Sequence, residues 1–164
     1  MKIYRIYLAE SYQFYTGGDL QMVQKLEKND FSDIDKIKFS LDSNNRPNLD
    51  DITTVNNACC LAFSKNAQKL FSELNFTDMK NTGFSICTIP SIDVLDFEKS
   101  IIDYFHDTKK LKRIRKYSFK EPGIGNNICF KLPIIASPVF VTQKFVDKYS
   151  QAGFNGLDFT KVYE

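Results

Sequence analysis

The most apolar stretch of the chain, Phe84 to Leu95, is interrupted in its middle by Pro90. Proline has no N–H to give to a sheet ladder, so the stretch reads as two strands, 84–89 and 91–95, meeting at an edge or bulge. The chain is thereby confined to short elements, since no segment approaches the ~20 apolar residues of a membrane-crossing helix. Lys2 to Leu8 alternates, with Ile3, Tyr4, Ile6 and Leu8 supplying strand formers. Ser11 to Thr16 extends that sheet until Gly17-Gly18 breaks it. Asp19 is placed to cap a helix running to about Asn29, with Leu20, Met22, Val23 and Leu26 on its apolar side. Ile37, Phe39 and Leu41 alternate as a short strand before the polar loop Asp42 to Asn48.

A second module starts near Ala58. Cys60 to Phe63 reads as a buried strand, and Ser64 caps a helix carrying Ala67, Leu70, Phe71 and Leu74 at helical spacing. Phe97 to Phe105 fits a short helix or a loop equally well. Lys112 to Lys120 alternates, and the pattern predicts a hairpin with Ile128 to Leu132 across the turn Glu121 to Asn127. Thr142 opens a helix over Gln143 to Gln151 that carries Phe145, Val146 and Tyr149. Gly153 ends it, and Leu157, Phe159 and Val162 form a last strand. A length of 164 residues suits one domain, residues 1–164. Strands with few helices and no regular crossover units predict an α+β class: one compact domain, a mostly antiparallel or mixed sheet, and three to four helices.

Composition narrows the function classes. Hydrophobic residues at 43% and charged residues at 26% describe a soluble globular chain, neither disordered nor a disulfide scaffold. The formal charge of +2 is too small to point to a nucleic-acid partner. The first residues, with Arg5 and Glu10 inside a short apolar stretch, do not form a secretory signal, so cytoplasmic residence and no membrane insertion are expected. Four cysteines stand at 59, 60, 87 and 129 with no CxxC pair, and His106 is the single histidine. Neighbouring Cys59 and Cys60 would point to opposite faces of a strand, an awkward start for a zinc site. Buried thiols, no metal and no cofactor are the expectation.

The strongest charge feature is the run Lys109, Lys110, Lys112, Arg113, Arg115, Lys116 and Lys120. On a strand, Arg113 and Arg115 share one face, with Lys112 and Lys116 on the other. Asp103, Asp107 and Glu121 dilute the run. It suits a solvated strand edge or a dock for an acidic protein better than a phosphate-binding face. Asp50/Asp51 and Asp93/Asp96 are paired carboxylates whose convergence a sequence cannot show. A Cys59 or Cys60 nucleophile with His106 has no local partner to orient it. Gly123-Ile124-Gly125 lacks GxGxxG, GxxxxGK and a following helix, so it reads as hairpin-loop glycine. Tyr12, Tyr15 and Tyr104, near strand and loop edges, are candidates for a protein interface beside Lys112, Arg113, Arg115 and Lys116.

The closing run SPVFVTQKFVDKYSQAGFNGLDFTKVYE resembles the terminal signature of a bacterial immunity-protein family of polymorphic toxin systems, first named from a myxobacterial protein and formerly a domain of unknown function. Phe140-Val141-Thr142 match its entry into a helix, Phe145 the helix core and Gly153 the terminator. Gly156-Leu157-Asp158-Phe159 match the small-aromatic close and Val162 follows, with Tyr163 where tryptophan is common. Upstream, CCLAFSKNAQKLFSEL and IDVLDFEKS resemble the family's strand, cap and helix, and its hydrophobic-Asp segment, so the likeness spans roughly 58–164. The resemblance implies a cytoplasmic antidote whose partner is a cognate effector toxin, with no activity on a small molecule. The competing expectations are a hydrolase that reverses toxin damage, using His106 and an Asp, and a nucleic-acid-binding accessory protein.

Overall fold

The computed structural model describes residues 1–42, 44–56 and 60–164, and the side chains of 136 and 137 are also left aside. Cys59 and Ala58 lie outside the described residues. In chain order the elements are β1 (Ile3–Leu8), β2 (Phe14–Thr16), α1 (Leu20–Glu27), a 3-10 turn (Ile34–Lys36), β3 (Ser40–Asp42), β4 (Ile52–Val55), β5 (Cys60–Ser64) and α2 (Lys65–Leu70). There follow β6 (Phe76–Met79), β7 (Phe84–Cys87), β8 (Ile101–Tyr104), β9 (Leu111–Lys116), α3 (Glu121–Ile124), β10 (Cys129–Leu132), β11 (Ile135–Thr142), α4 (Gln143–Gln151) and β12 (Leu157–Tyr163). The class is α+β.

The strands make a four-stranded antiparallel sheet, β10-β11-β1-β12, a six-stranded mixed sheet, β3-β2-β4-β5-β7-β6, and a separate two-stranded ribbon, β8-β9. Alternation along each strand explains how the sheets pack. On β5, Leu61 and Phe63 face one cluster while Cys60 and Ala62 face another, so this inner strand is apolar on both sides. On β11, Val139 and Val141 face the first cluster and Phe140 the opposite one. The largest cluster draws Ile6, Val141 and Leu157 from the four-stranded sheet and Ile52, Leu61 and Phe63 from the six-stranded one. Its aromatic centre is a chain of contacts, Phe63 to Phe71 at 5.5 Å and Phe71 to Phe145 at 4.8 Å between ring centroids.

Several elements follow the sequence closely. Asp19 caps α1 by accepting from the Met22 amide at 2.9 Å, and Ser64 caps α2 by accepting from that of Ala67 at 3.2 Å. Helix α4 spans Gln143–Gln151, and Gly153 follows it at φ 74°, a left-handed turn that glycine adopts without a Cβ penalty. Thr142 sits at the N-cap of α4 but its side chain makes no capping bond, because it still belongs to β11, where its amide donates to the Ile128 carbonyl at 3.0 Å.

Other expectations are corrected. Ser11 to Thr16 does not prolong the first sheet: the Ala9 amide closes on Gly156, then the Gln13 amide closes on Asn48, and β2 enters the six-stranded sheet. Leu20 is 73% exposed because it stands about 120° around the helix from Leu26, off the stripe of Met22, Val23 and Leu26. The strand expected around Ile37 begins only at Ser40, since a 3-10 turn occupies Ile34–Lys36. Residues 91–95 form no strand, only single bridges from Ser91 to Lys131 and from Leu95 to Phe119. The expected hairpin between 112–120 and 128–132 is absent: β9 pairs with β8 and β10 with β11. The intervening turn carries the single helical turn α3, and a Cβ on Gly123 would meet Val94 Cγ1 at 2.8 Å.

The described cysteines, Cys60, Cys87 and Cys129, are each about 1% exposed. A hydrogen bond with Cys129 and burial together push the Cys87 thiol well above its ordinary pKa. The expected result is that a Cys59→Ser chain at pH 8 shows no reaction with an aromatic disulfide reagent while folded. Three thiols should then react on denaturation, and rapid labelling of the native chain would contradict this packing.

Candidate partner-binding site

The ribbon stands apart from both sheets and is held at its base and along one side. At the base, the Asp96 amide donates to the Ser118 carbonyl at 2.8 Å, and the Ser118 amide donates to Ser100 Oγ at 3.0 Å. Along the ladder Ile102 lies opposite Ile114, and both pack on the cluster that contains Ile3, Phe119, Phe130 and Phe140. At the far end, residues 105–110 form a loop closed by the Phe105 amide on the Lys110 carbonyl at 2.9 Å. Two register shifts place Lys112 and Arg115 as extra residues on β9, so a strict period of two does not hold along it.

Asp103 lies opposite Arg113 and gathers both guanidiniums: Arg113 Nε stands at 2.7 Å from Oδ2 and Arg115 Nε at 3.0 Å from Oδ1. The hydrogen bond from Arg113, reinforced by the charge of Arg115, holds the Asp103 carboxyl below the usual carboxylate range. The expected sharing of a face by Arg113 and Arg115 is thus seen as joint access to one carboxylate. Among the described residues, Lys109, Lys110, Lys112 and Lys116 form no ion pair; Lys112 Nζ lies 5.7 Å from the centre of the Phe105 ring. Residues 101–116 hold six cations against Asp103 and Asp107, a formal charge of +4 in a chain whose total is +2.

Apolar surface accompanies this charge. Ile101 is 45% exposed, Tyr104 49% and Phe105 51%, with Phe97 at 47% just before the ribbon. A shallow groove of about 350 Å³ is lined by Ile102, Asp103, Tyr104, Phe105, His106 and Lys112. Five of the seven interface candidates, Tyr104, Lys112, Arg113, Arg115 and Lys116, therefore share one small element. Tyr12 is half-buried in the connection from β1 to β2, bridged to Asn48. Tyr15 is 4% exposed, its ring 5.3 Å from that of Phe84, because β2 is an inner strand of the six-stranded sheet. The sequence reading missed Ile101 and Phe105. Their signal was the β-branched pair Ile101-Ile102 across a polar loop from the alternating Leu111 to Arg115.

The residues considered for chemistry are dispersed. Cys60 is 1% exposed in the core, whereas His106 is exposed at the ribbon's end. Asp50 and Asp51 are engaged apart from one another: Asp50 accepts from Tyr149, Asn155 and Gly156, and Asp51 from the Ser64 hydroxyl. No group of three metal-ligating side chains occurs among the described residues, and no helix described is long and apolar enough to cross a membrane. No curated protein matches the chain. Residues 84–164, which span β7, the whole ribbon and everything from α3 to β12, match the Immunity protein family (Imm11).

Proposed function

We propose that this protein is an immunity protein that neutralises a cognate effector toxin in the cytoplasm by stoichiometric binding, without chemistry of its own. The observation that carries the reading is the match of residues 84–164 to the Immunity protein family (Imm11). An antidote of this kind needs complementary area and a few buried anchors, and no catalytic constellation. The exposed aromatic and basic ribbon supports that mode of action, since it lies wholly within the matched segment.

The test is size exclusion with mass detection on the purified chain and a catalytically inactive form of the toxin encoded beside its gene. A complex of defined stoichiometry, with toxicity suppressed on co-expression of the active toxin, is the expected result. Absence of a complex with a folded toxin would remove direct neutralisation. His106→Ala, at the lining of the ribbon's groove, is expected to lose no more protection than any loss of toxin affinity accounts for. Loss of rescue by that variant, with folding and toxin binding intact, would place the protein among enzymes that reverse damage.

A further inference from the structure

We infer that the β8-β9 ribbon is the docking element of this protein, and that the toxin surface it takes is acidic around an apolar centre. The inference rests on the antidote reading and names the face and the chemistry of its partner. Three observations converge on it. The ribbon is bonded to neither main sheet, so its outer face is not needed to complete the fold. Its inner side is fixed by Ile102 and Ile114 on the core, and its base by Ser100 and Ser118, which presents the outer face in one orientation. The ribbon's exposed surface combines four lysines without a carboxylate partner among the described residues with the half-exposed side chains of Ile101 near its base and of Tyr104 and Phe105 at its far end.

The charge selects the partner's sign. A formal +4 on residues 101–116 stands against −2 on the remainder of the chain, so the field is concentrated on one projection. A second copy would bring the same positive ribbon, and a two-fold contact through it would oppose like charges. A nucleic acid is disfavoured by the guanidiniums. Arg113 and Arg115, the side chains best shaped for phosphate, both bind Asp103 through Nε. Exposed Tyr104 and Phe105, which line one groove with Lys112, suit the desolvated centre of a protein interface, where aromatic anchors supply the energy and a charged rim supplies the rate.

The pairing of Arg113 and Arg115 with Asp103 also divides labour within the ribbon. These three pair with one another, while Lys109, Lys110, Lys112 and Lys116 have no ion pair among the described residues and are open to a partner. Reversing two of the unpaired lysines, Lys112→Glu with Lys116→Glu, takes the ribbon from +4 to neutral and leaves the Asp103 cluster in place. Because both sites are exposed, the fold should survive, and unfolding curves of the variant report whether it has.

The experiment measures association and dissociation rates of the full-length chain with the inactive toxin across ionic strength. The double lysine variant is expected to associate about 10–100-fold more slowly at low salt, with the gap closing as salt rises. Tyr104→Ala is expected to dissociate about 10-fold faster or more, with little change in its salt dependence. A second reversal at the loop, Lys109→Glu with Lys110→Glu, should repeat the first result if Lys112→Glu/Lys116→Glu proves unstable. Parent-like rates and salt slopes in all these variants, with the parent complex intact, would overturn the ribbon and leave the antidote reading standing. Failure of the parent chain to bind the toxin would instead overturn the antidote reading itself. Saturable binding of a labelled RNA that the lysine reversals abolish, with toxin binding unchanged, would reassign the ribbon to nucleic acid.

Discussion

Phe145→Ala is expected to lower the unfolding free energy by about 3–5 kcal/mol, seen as a fall in the denaturation midpoint at an unchanged slope. Phe145 is fully buried on α4, and its ring lies 4.8 Å from Phe71, 6.4 Å from Tyr149 and 6.2 Å from Phe159. Phe71 follows α2 and touches Phe63 of β5, whereas Phe159 belongs to β12 of the other sheet. Truncation at 145 therefore opens a cavity where the two sheets share their core, and the surrounding rings can relax only partly into it. A loss of this size is a large share of the ~5–15 kcal/mol that holds an ordinary domain together. Val146→Ala is the internal comparison. Val146 is half-buried at the edge of the same cluster, so about 1 kcal/mol is expected there. Equal losses at 145 and 146 would mean that α4 is not seated on its Phe145 face.

What the sequence disclosed and what it withheld have a common physical cause. Helix ends are local: Asp19, Ser64 and Gly153 act within three residues of themselves, and the structure places each where its chemistry requires. Strand partners are not local. The alternation of Lys112 to Arg115 says that a strand exists, yet it is equally compatible with a partner at 101–104 or at 128–132. The opposite charges of Asp103 and Arg113, now seen across the ladder, were the available hint. Tyr15 was legible as a strand residue but not as a core one, because its burial depends on β2 lying between β3 and β4. The basic run was plain in the chain. That two of its arginines close together on Asp103 goes with the register shift that makes Arg115 an extra residue on β9.

The same distance in sequence hides the carboxylate on which the C-terminal segment hangs, and Asp50→Ala is expected to cost about 2–4 kcal/mol. Asp50 Oδ2 accepts from the Tyr149 hydroxyl at 3.0 Å, the Asn155 amide at 2.8 Å and the Gly156 amide at 2.6 Å, about a hundred residues along the chain. The Tyr149 oxygen in turn accepts from the Leu157 amide at 2.7 Å, and burial, with Asp50 beside it, pushes its pKa up, so it stays a donor. Removing the carboxylate strands these donors together in the turn between α4 and β12. Amide hydrogen exchange at Asn155 and Gly156 should accelerate by more than global destabilisation accounts for. Tyr149→Phe removes one arm only, and about 1–2 kcal/mol is expected. Gly156→Ala attacks the site from the other side, since its Cβ would fall 2.6 Å from that of Asp50 and 3.1 Å from the Ile52 carbonyl. An Asp50→Ala chain with parent stability and unchanged exchange in the turn would refute this latch. If it behaves as expected, the segment matched to the immunity family is held in place from outside itself. Asp50 lies before residue 84, as does β1, the strand that joins β11 to β12. The ribbon's face is then presented by a fold that residues 84–164 cannot complete alone.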